Sequence, residues 1–387
     1  MEMVETASTR DMINRNEALE SDTMKTRLEK VYLGMEENKV DGLFLMGDAN
    51  IRYVSGFTGE DSFVFLLPPK KVFITDSRYT EQAEKECPGF EIVRHRGGWP
   101  NLEETIARLS KKYHIKKIGF EQDVVTFEIY DKLRRALDGR TELVPTSGLV
   151  ESVRYIKDEE EIACIKKAAQ IACAAFTHVV NMIKPGLKEK DIEIELEYQM
   201  KKKGASAPAF ATIVASGPRG SLPHAQPTER VIQMGDLITM DFGAVYQGYC
   251  SDITRTISLG EPDKRQKEIY QIVKEAQEAG LKAVRPGMEG RMADKAAREV
   301  IEKAGLGSCF GHGLGHGVGL EIHEEPALNN NCRKVLAAGA VVTVEPGIYI
   351  PNWGGVRIED TVLVTGEGCE ILTPVSKELI CVEGRAC

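Results

Sequence analysis

No apolar stretch in this 387-residue sequence is long enough to span a bilayer, so nothing in it reads as a membrane helix. A basic stripe is missing too. The formal net charge is −9, and the lysines and arginines are scattered apart from short runs such as Lys201 to Lys203. A phosphate backbone would find nothing continuous to lie against, which sets nucleic-acid partners aside. There is no C-x-x-C pair. The nine cysteines (Cys87, Cys164, Cys173, Cys250, Cys309, Cys332, Cys369, Cys381 and Cys387) are odd in number and irregularly spaced. That pattern suits reduced thiols in a cytoplasmic protein, not a disulfide framework or a zinc ribbon. Residues 1–23 lack an apolar core, so they do not read as a secretory signal and are expected to form a polar, disordered tail.

What is present is a hydrophobic content of 42% and a length that suits two domains. Over 24–150, short apolar runs alternate with amphipathic ones. Strands are expected at Leu43–Met46, Phe63–Leu67, Val72–Thr75 and Lys117–Phe120, and helices at Met24–Glu37, Arg78–Cys87, Leu102–Tyr113 and Phe127–Leu137. The alternation predicts an α/β domain with a mixed or parallel sheet. A boundary is expected near Pro145 to Gly148, leaving 151–387 as the second domain. There, Asp158 and Glu161 have capping-box spacing at the start of a long helix, whose apolar face runs from Ile162 to Ile183 and which Pro185-Gly186 ends. Asp191–Met200 fits both a strand and a helical period; its Glu and Lys content favours helix.

The second domain contains an internal repeat. Lys184-Pro185-Gly186-Leu187 recurs as Arg285-Pro286-Gly287-Met288, each followed by a helix-like stretch that ends in glycine, at Gly204 and Gly305. Gly235 to Gly243 aligns without a gap on Gly339 to Gly347, which sets Asp241 on Glu345, and Asp252 then falls near Glu359. Pro-His224-Ala-Gln-Pro227 echoes His323-Glu-Glu-Pro326. If Gln247-Gly248 is a turn, Asp241 faces Thr254 and Asp252 is its diagonal neighbour. Glu345 and Glu359 share a face if the loop around Asn352 to Gly355 has an odd number of residues.

Two such halves about a pseudo-twofold axis would bring four carboxylates together. Buried, they would repel one another by several kcal/mol, and two divalent cations would neutralise them. The alternative is four solvated strand residues, although each lies in an apolar run where an unpaired charge is expensive. Around the later histidines the chain reads Gly-His312-Gly-Leu-Gly-His316-Gly, then Ile-His323-Glu324. So many glycines exclude a helical zinc motif and favour tight backbone approach around a site.

Asp241, Asp252, His316 in Gly-His-Gly, Glu345 in Glu-Pro-Gly and Glu359 in Val-Arg-Ile-Glu-Asp resemble, in order and spacing, the five metal ligands of the pita-bread metallopeptidases. Ile51-Arg-Tyr-Val-Ser-Gly-Phe-Thr-Gly59 and Ile74-Thr-Asp-Ser-Arg-Tyr79 are similar to the short bacterial Xaa-Pro peptidases. The resemblance implies a ribonuclease H-like, creatinase-type α/β N-terminal domain and an α+β pita-bread catalytic domain. A creatinase reading is disfavoured, because all five ligand positions are filled. The ligands imply two divalent ions, manganese first, with cobalt, iron or zinc as alternatives. They also imply hydrolysis before proline in small peptides with proline at the second position. By resemblance, Glu345 is general base and acid, His323 donates to the oxyanion, and His224 lines the scissile bond. His312 and Arg357 would position the proline side, with Tyr349 a further candidate. An equal reading makes Arg357 a partner that orients a ligand carboxylate. Aminopeptidase P is slightly favoured over prolidase (the Xaa-Pro dipeptidase), and a homodimer is implied. The rival from another class is a metal-free, catalytically silent binding protein of the same fold.

Overall fold

The computed structural model describes residues 9–383, with side chains from Thr23 onward. The chain divides into two compact units between Arg154 and Tyr155.

In the first unit the chain runs α1 (Thr9–Glu37), β1 (Gly42–Leu45), α2 (Asp48–Ser55), β2 (Phe63–Leu67), β3 (Lys70–Thr75) and α3 (Thr80–Glu86). It continues through β4 (Glu91–Arg94), α4 (Leu102–Lys112), β5 (Lys117–Glu121), α5 (Phe127–Leu137), β6 (Glu142–Thr146) and α6 (Leu149–Arg154). The strands form one mixed sheet, ordered β4-β3-β2-β1-β5-β6. Pairs β1–β2 and β2–β3 are antiparallel; β1–β5, β5–β6 and β3–β4 are parallel. Phe44, Phe65, Val72, Ile74, Ile118 and Phe120 pack from this sheet onto Ile106 and Leu109 of α4 and Leu133 and Leu137 of α5. Those two helices start where the side chains of Asn101 and Thr126 accept backbone N–H groups.

Two expectations shift here. Residues 1–8 of the expected tail lie outside the described residues, and from Thr9 the remainder is helical backbone continuous with α1. Polar composition argues against a buried helix, not against a helix. The boundary lies after α6 instead of near Pro145, because β6 runs through that proline. As an edge strand, β6 tolerates a residue that cannot donate a hydrogen bond.

The second unit opens with α7 (Glu159–Val180), capped by Asp158 and Glu161 as the spacing predicts, and α8 (Glu189–Lys202). Then come β7 (Ala207–Pro208), β8 (Ile213–Ser216), β9 (Leu237–Phe242), β10 (Ala244–Tyr246), β11 (Tyr249–Cys250) and β12 (Ile253–Leu259). The second half repeats the plan: α9 (Lys264–Ala283), α10 (Gly290–Lys303), β13 (Gly315–Gly317), β14 (Glu324–Leu328), β15 (Val341–Val344) and β16 (Gly347–Ile350). It ends with β17 (Gly354–Arg357), β18 (Asp360–Val364), β19 (Cys369–Ile371) and β20 (Cys381–Val382).

The repeat is structural as well as sequential. Each helix pair buries its apolar face on its own sheet, giving two separate cores. In one, Ala172, Phe176, Ile192 and Leu196 of α7 and α8 meet Ile238, Met240, Phe242 and Ile257. In the other, Val273, Ala276, Ala297 and Ile301 of α9 and α10 meet Val342, Val344 and Val362. Gly204 and Gly305 follow α8 and α10 at φ of 106° and 76°, where a side chain would be strained. Isolated bridges Lys188–Val231 and Glu289–Val335 occupy matching places. Among the described residues, no helix is long and apolar enough to cross a membrane.

Candidate metal centre

Strand alternation decides where the acids point. On β9, Ile238, Met240 and Phe242 face the helices, so Thr239 and Asp241 face the other way. Ile253 and Ile257 of β12 also face the helices, which puts Asp252, Thr254 and Thr256 on the face of Asp241. Gln247 and Gly248 both have positive φ at the turn, and Asp241 pairs with Thr254 as expected. In the second half, Val342, Val344, Val356 and Ile358 face the helices, leaving Glu345, Arg357 and Glu359 on the opposite face. The β16–β17 loop holds three residues, 351–353, the odd count that the shared face requires. The register is the same on both sides, Val344 on Asp360 and Gly347 on Arg357, so Glu345 lies opposite Glu359.

Close backbone approach presents His316. A Cβ at Gly315 would lie 2.1 Å from the Thr343 carbonyl oxygen, and one at Gly317 2.3 Å from that of Glu325. Only glycine on either side lets β13 fit between β14 and β15. His316 Nδ1 lies 3.0 Å from the Gly317 carbonyl, which places the proton on Nδ1 and leaves Nε2 a free lone pair. That Nε2 is 3.6 Å from Asp252 Oδ2 and 3.4 Å from Glu345 Oε1. Asp252, His316 and Glu359 each offer a ligand atom within 4.8 Å of the other two.

Burial dominates the electrostatics of the cluster, with mutual repulsion between the acids behind it. Burial, then Glu359, Asp241 and Glu345, raise the Asp252 carboxyl well above its ordinary range. Burial and the neighbouring acids do the same to Glu359. Glu345 is pushed up to about 8, chiefly by burial. His316 is lowered to about 4, again chiefly by burial, and so is neutral at physiological pH. Among the described residues, Asp241 Oδ1 and Asp252 Oδ1 are buried with no hydrogen-bond partner. Orphan carboxylate oxygens beside a neutral imidazole lone pair fit a divalent cation, and nothing in the donor set is soft.

The five expected ligands therefore converge. The other named residues divide. Arg357 donates from Nη2 to Asp241 Oδ2 at 2.6 Å, from Nε to Thr254 Oγ1 and from Nη1 to the Tyr349 hydroxyl. This geometry favours the reading in which it orients a carboxylate. The Tyr349 hydroxyl in turn donates to His312 Nε2 at 2.9 Å, and His312 Nδ1 donates to the Gly313 carbonyl. Both ring nitrogens of His312 are thus occupied within the protein, and burial lowers its pKa to about 4. His224 and His323 are exposed. The His323 ring centroid lies 4.4 Å from that of His316, and Pro223, next to His224, accepts from Arg357.

Sequence reasoning missed the groups that hold these side chains. Thr254 Oγ1 donates to Glu359 Oε2 at 2.6 Å, although the strand pairing had already placed it opposite Asp241. Thr343, identical in both repeats, donates to Glu345 and accepts from the His316 N–H. Arg255 is buried behind the site, donating to the Glu359 carbonyl and to Asp360.

Residues 163–366 match the model of metallopeptidase family M24, and residues 27–156 that of the creatinase/prolidase N-terminal domain. The chain is 48% identical to a solved Xaa-Pro dipeptidase from Bacillus anthracis, covering 92% of this chain and 99% of that one, with a TM-score of 0.89. A solved X-Pro aminopeptidase from Thermotoga maritima is 41% identical, covering 89% of this chain and 98% of that one, with a TM-score of 0.83. The Xaa-Pro dipeptidase of Pyrococcus furiosus is 38% identical over 92% of this chain and all of that one. Two of these three relatives are Xaa-Pro dipeptidases, which backs the dipeptidase alternative better than the slight preference for an aminopeptidase. The chain belongs to metallopeptidase family M24, an enzyme with the pita-bread catalytic fold behind a creatinase/prolidase N-terminal domain.

Proposed function

We propose that this enzyme is an Xaa-Pro dipeptidase that works with two divalent ions, manganese first, held by Asp241, Asp252, His316, Glu345 and Glu359. The observation that carries the reading is the convergence of four carboxylates and one neutral imidazole, with two buried carboxylate oxygens unpartnered. Divalent cations there supply Lewis acidity and an activated water. Glu345 takes the proton released in the attack and returns it to the proline nitrogen. His323, beside His316 and open to solvent, donates to the oxygen on which negative charge develops. His224 borders the scissile bond. His312 presents its ring to the proline side, held by Tyr349 and Gly313. Arg357 fixes Asp241 so that Oδ1 is the oxygen left for a cation. The leaving nitrogen of an Xaa-Pro bond is tertiary, so the site needs no acceptor for an amide hydrogen and selects by ring shape. A homodimer in the cytoplasm accompanies this reading.

The test is a peptide panel with manganese. Xaa-Pro dipeptides should turn over, Xaa-Pro tripeptides should be slower by at least about tenfold in kcat/KM, and peptides without proline should stay intact. Tripeptides cleaved as fast as dipeptides would return the choice to an aminopeptidase.

A further inference from the structure

We propose that Lys157 and Glu324, a buried ion pair outside the acid cluster, position His323 for the reaction. This rests on the reading in which His323 faces the developing oxyanion.

Lys157 lies two residues before the helix α7, and its ammonium is 3.0 Å from Glu324 Oε2, with the two side chains 1% and 7% exposed. Glu324 follows His323 directly in the chain. Its other oxygen, Oε1, accepts the Glu321 N–H at 3.1 Å. Glu321 in turn receives the Gly319 N–H on its carbonyl, while the Gly319 carbonyl takes the Cys250 N–H. The loop from Gly319 to His323 is thus folded around one carboxylate, and Lys157 fixes that carboxylate from below. A Cβ at Gly319 would meet both Glu324 oxygens at 2.6 Å, so the carboxylate rests directly on the loop backbone. Lys157 is itself anchored, because its N–H donates to the Gly339 carbonyl at the head of β15. His323 has no such anchor on its ring: it is exposed and touches the centre through its face-to-edge contact with His316. Its aim is therefore set by the loop, and the loop by the ion pair.

Removing only the lysine takes the buried ammonium away from a buried carboxylate, which then shifts toward water and carries its neighbour along. Neutralising both partners removes that force and keeps an amide oxygen for the Glu321 N–H. Lys157→Met should therefore lower kcat by about ten- to a hundredfold, as expected for a catalytic group displaced by about an ångström. KM and the manganese bound per chain should change little. Lys157→Met/Glu324→Gln should recover most of the lost kcat. Pairing these with His323→Ala separates the layers. If His323→Ala is impaired while Lys157→Met keeps the parent kcat, or the double variant is no faster than Lys157→Met, the positioning role is overturned. If His323→Ala retains full activity, the oxyanion reading falls and the proposal with it. Should Lys157→Met fail to fold, Lys157→Arg decides. It keeps the charge on a longer planar head and should still lower kcat by about tenfold; the parent rate there would overturn the role as well.

Discussion

Asp252 shows what one carboxylate costs in this centre. Its folded pKa is raised, so above the unfolded pKa its ionisation opposes folding, a cost that a cation at the proposed site would offset. Asp252→Asn should stabilise the metal-free protein by on the order of 1 kcal/mol while abolishing turnover and lowering the manganese retained. Thermal unfolding in chelator, with metal analysis of the same samples, checks both. Asp76 is the opposite case. Hydrogen bonds from Arg78 hold its carboxyl down to about 2, below the unfolded value of about 4. A depressed folded pKa contributes stability above the unfolded pKa and loses it as pH falls through the folded one. The acid limb of the first unit between about pH 4 and pH 2 should therefore flatten in Arg78→Met, with lower stability at neutral pH; a far-UV titration reads this. That Asp241, Asp252, Glu345 and Glu359 would come together was legible from the repeat, and the resemblance added His316 to the proposed ligand set. Arg357 was not resolved between two roles, because choosing needed the 2.6 Å contact to Asp241.

Strands, more than single residues, set the geometry. Gly315→Ala would drive a methyl into the Thr343 carbonyl and push β13 from β15. The expected cost is about 1–3 kcal/mol, together with weaker manganese binding because His316 moves with its strand. Denaturant unfolding and metal titration measure the two parts. Regular elements were legible where periodicity was strong: β2 and α5 fall at their expected residues. The short helix α2, the strand β4 with its mixed burial, and β6 with its proline carried no such signal. The capping box of α7 was readable because two polar side chains at fixed spacing suffice to form it. The path of the glycine-rich stretch around His312 and His316 was not. Glycine permits a close approach without naming its partner, and the partners here are carbonyls of strands distant in sequence.

For the whole molecule, cations and fold are linked. Ions that bind only the native centre stabilise it by mass action, about 2.7 kcal/mol at a free concentration one hundred times the dissociation constant. Manganese should accordingly raise the unfolding midpoint of the second unit and chelator should lower it, with the first unit unchanged; calorimetry resolves the two transitions. The duplication was visible in sequence because matched glycines and a shared threonine survive in both copies, whereas the separate cores behind each sheet needed coordinates.

The proposed ligands are shared between those halves. Asp241 and Asp252 come from the first, and His316, Glu345 and Glu359 from the second. A chain made from its N-terminus folds progressively, so the early aspartates are exposed to the cell well before the late glutamate emerges. On the proposed ligand set, the cage for an ion is complete only once Glu359 has emerged, so peptidase activity is expected only after the second half is made.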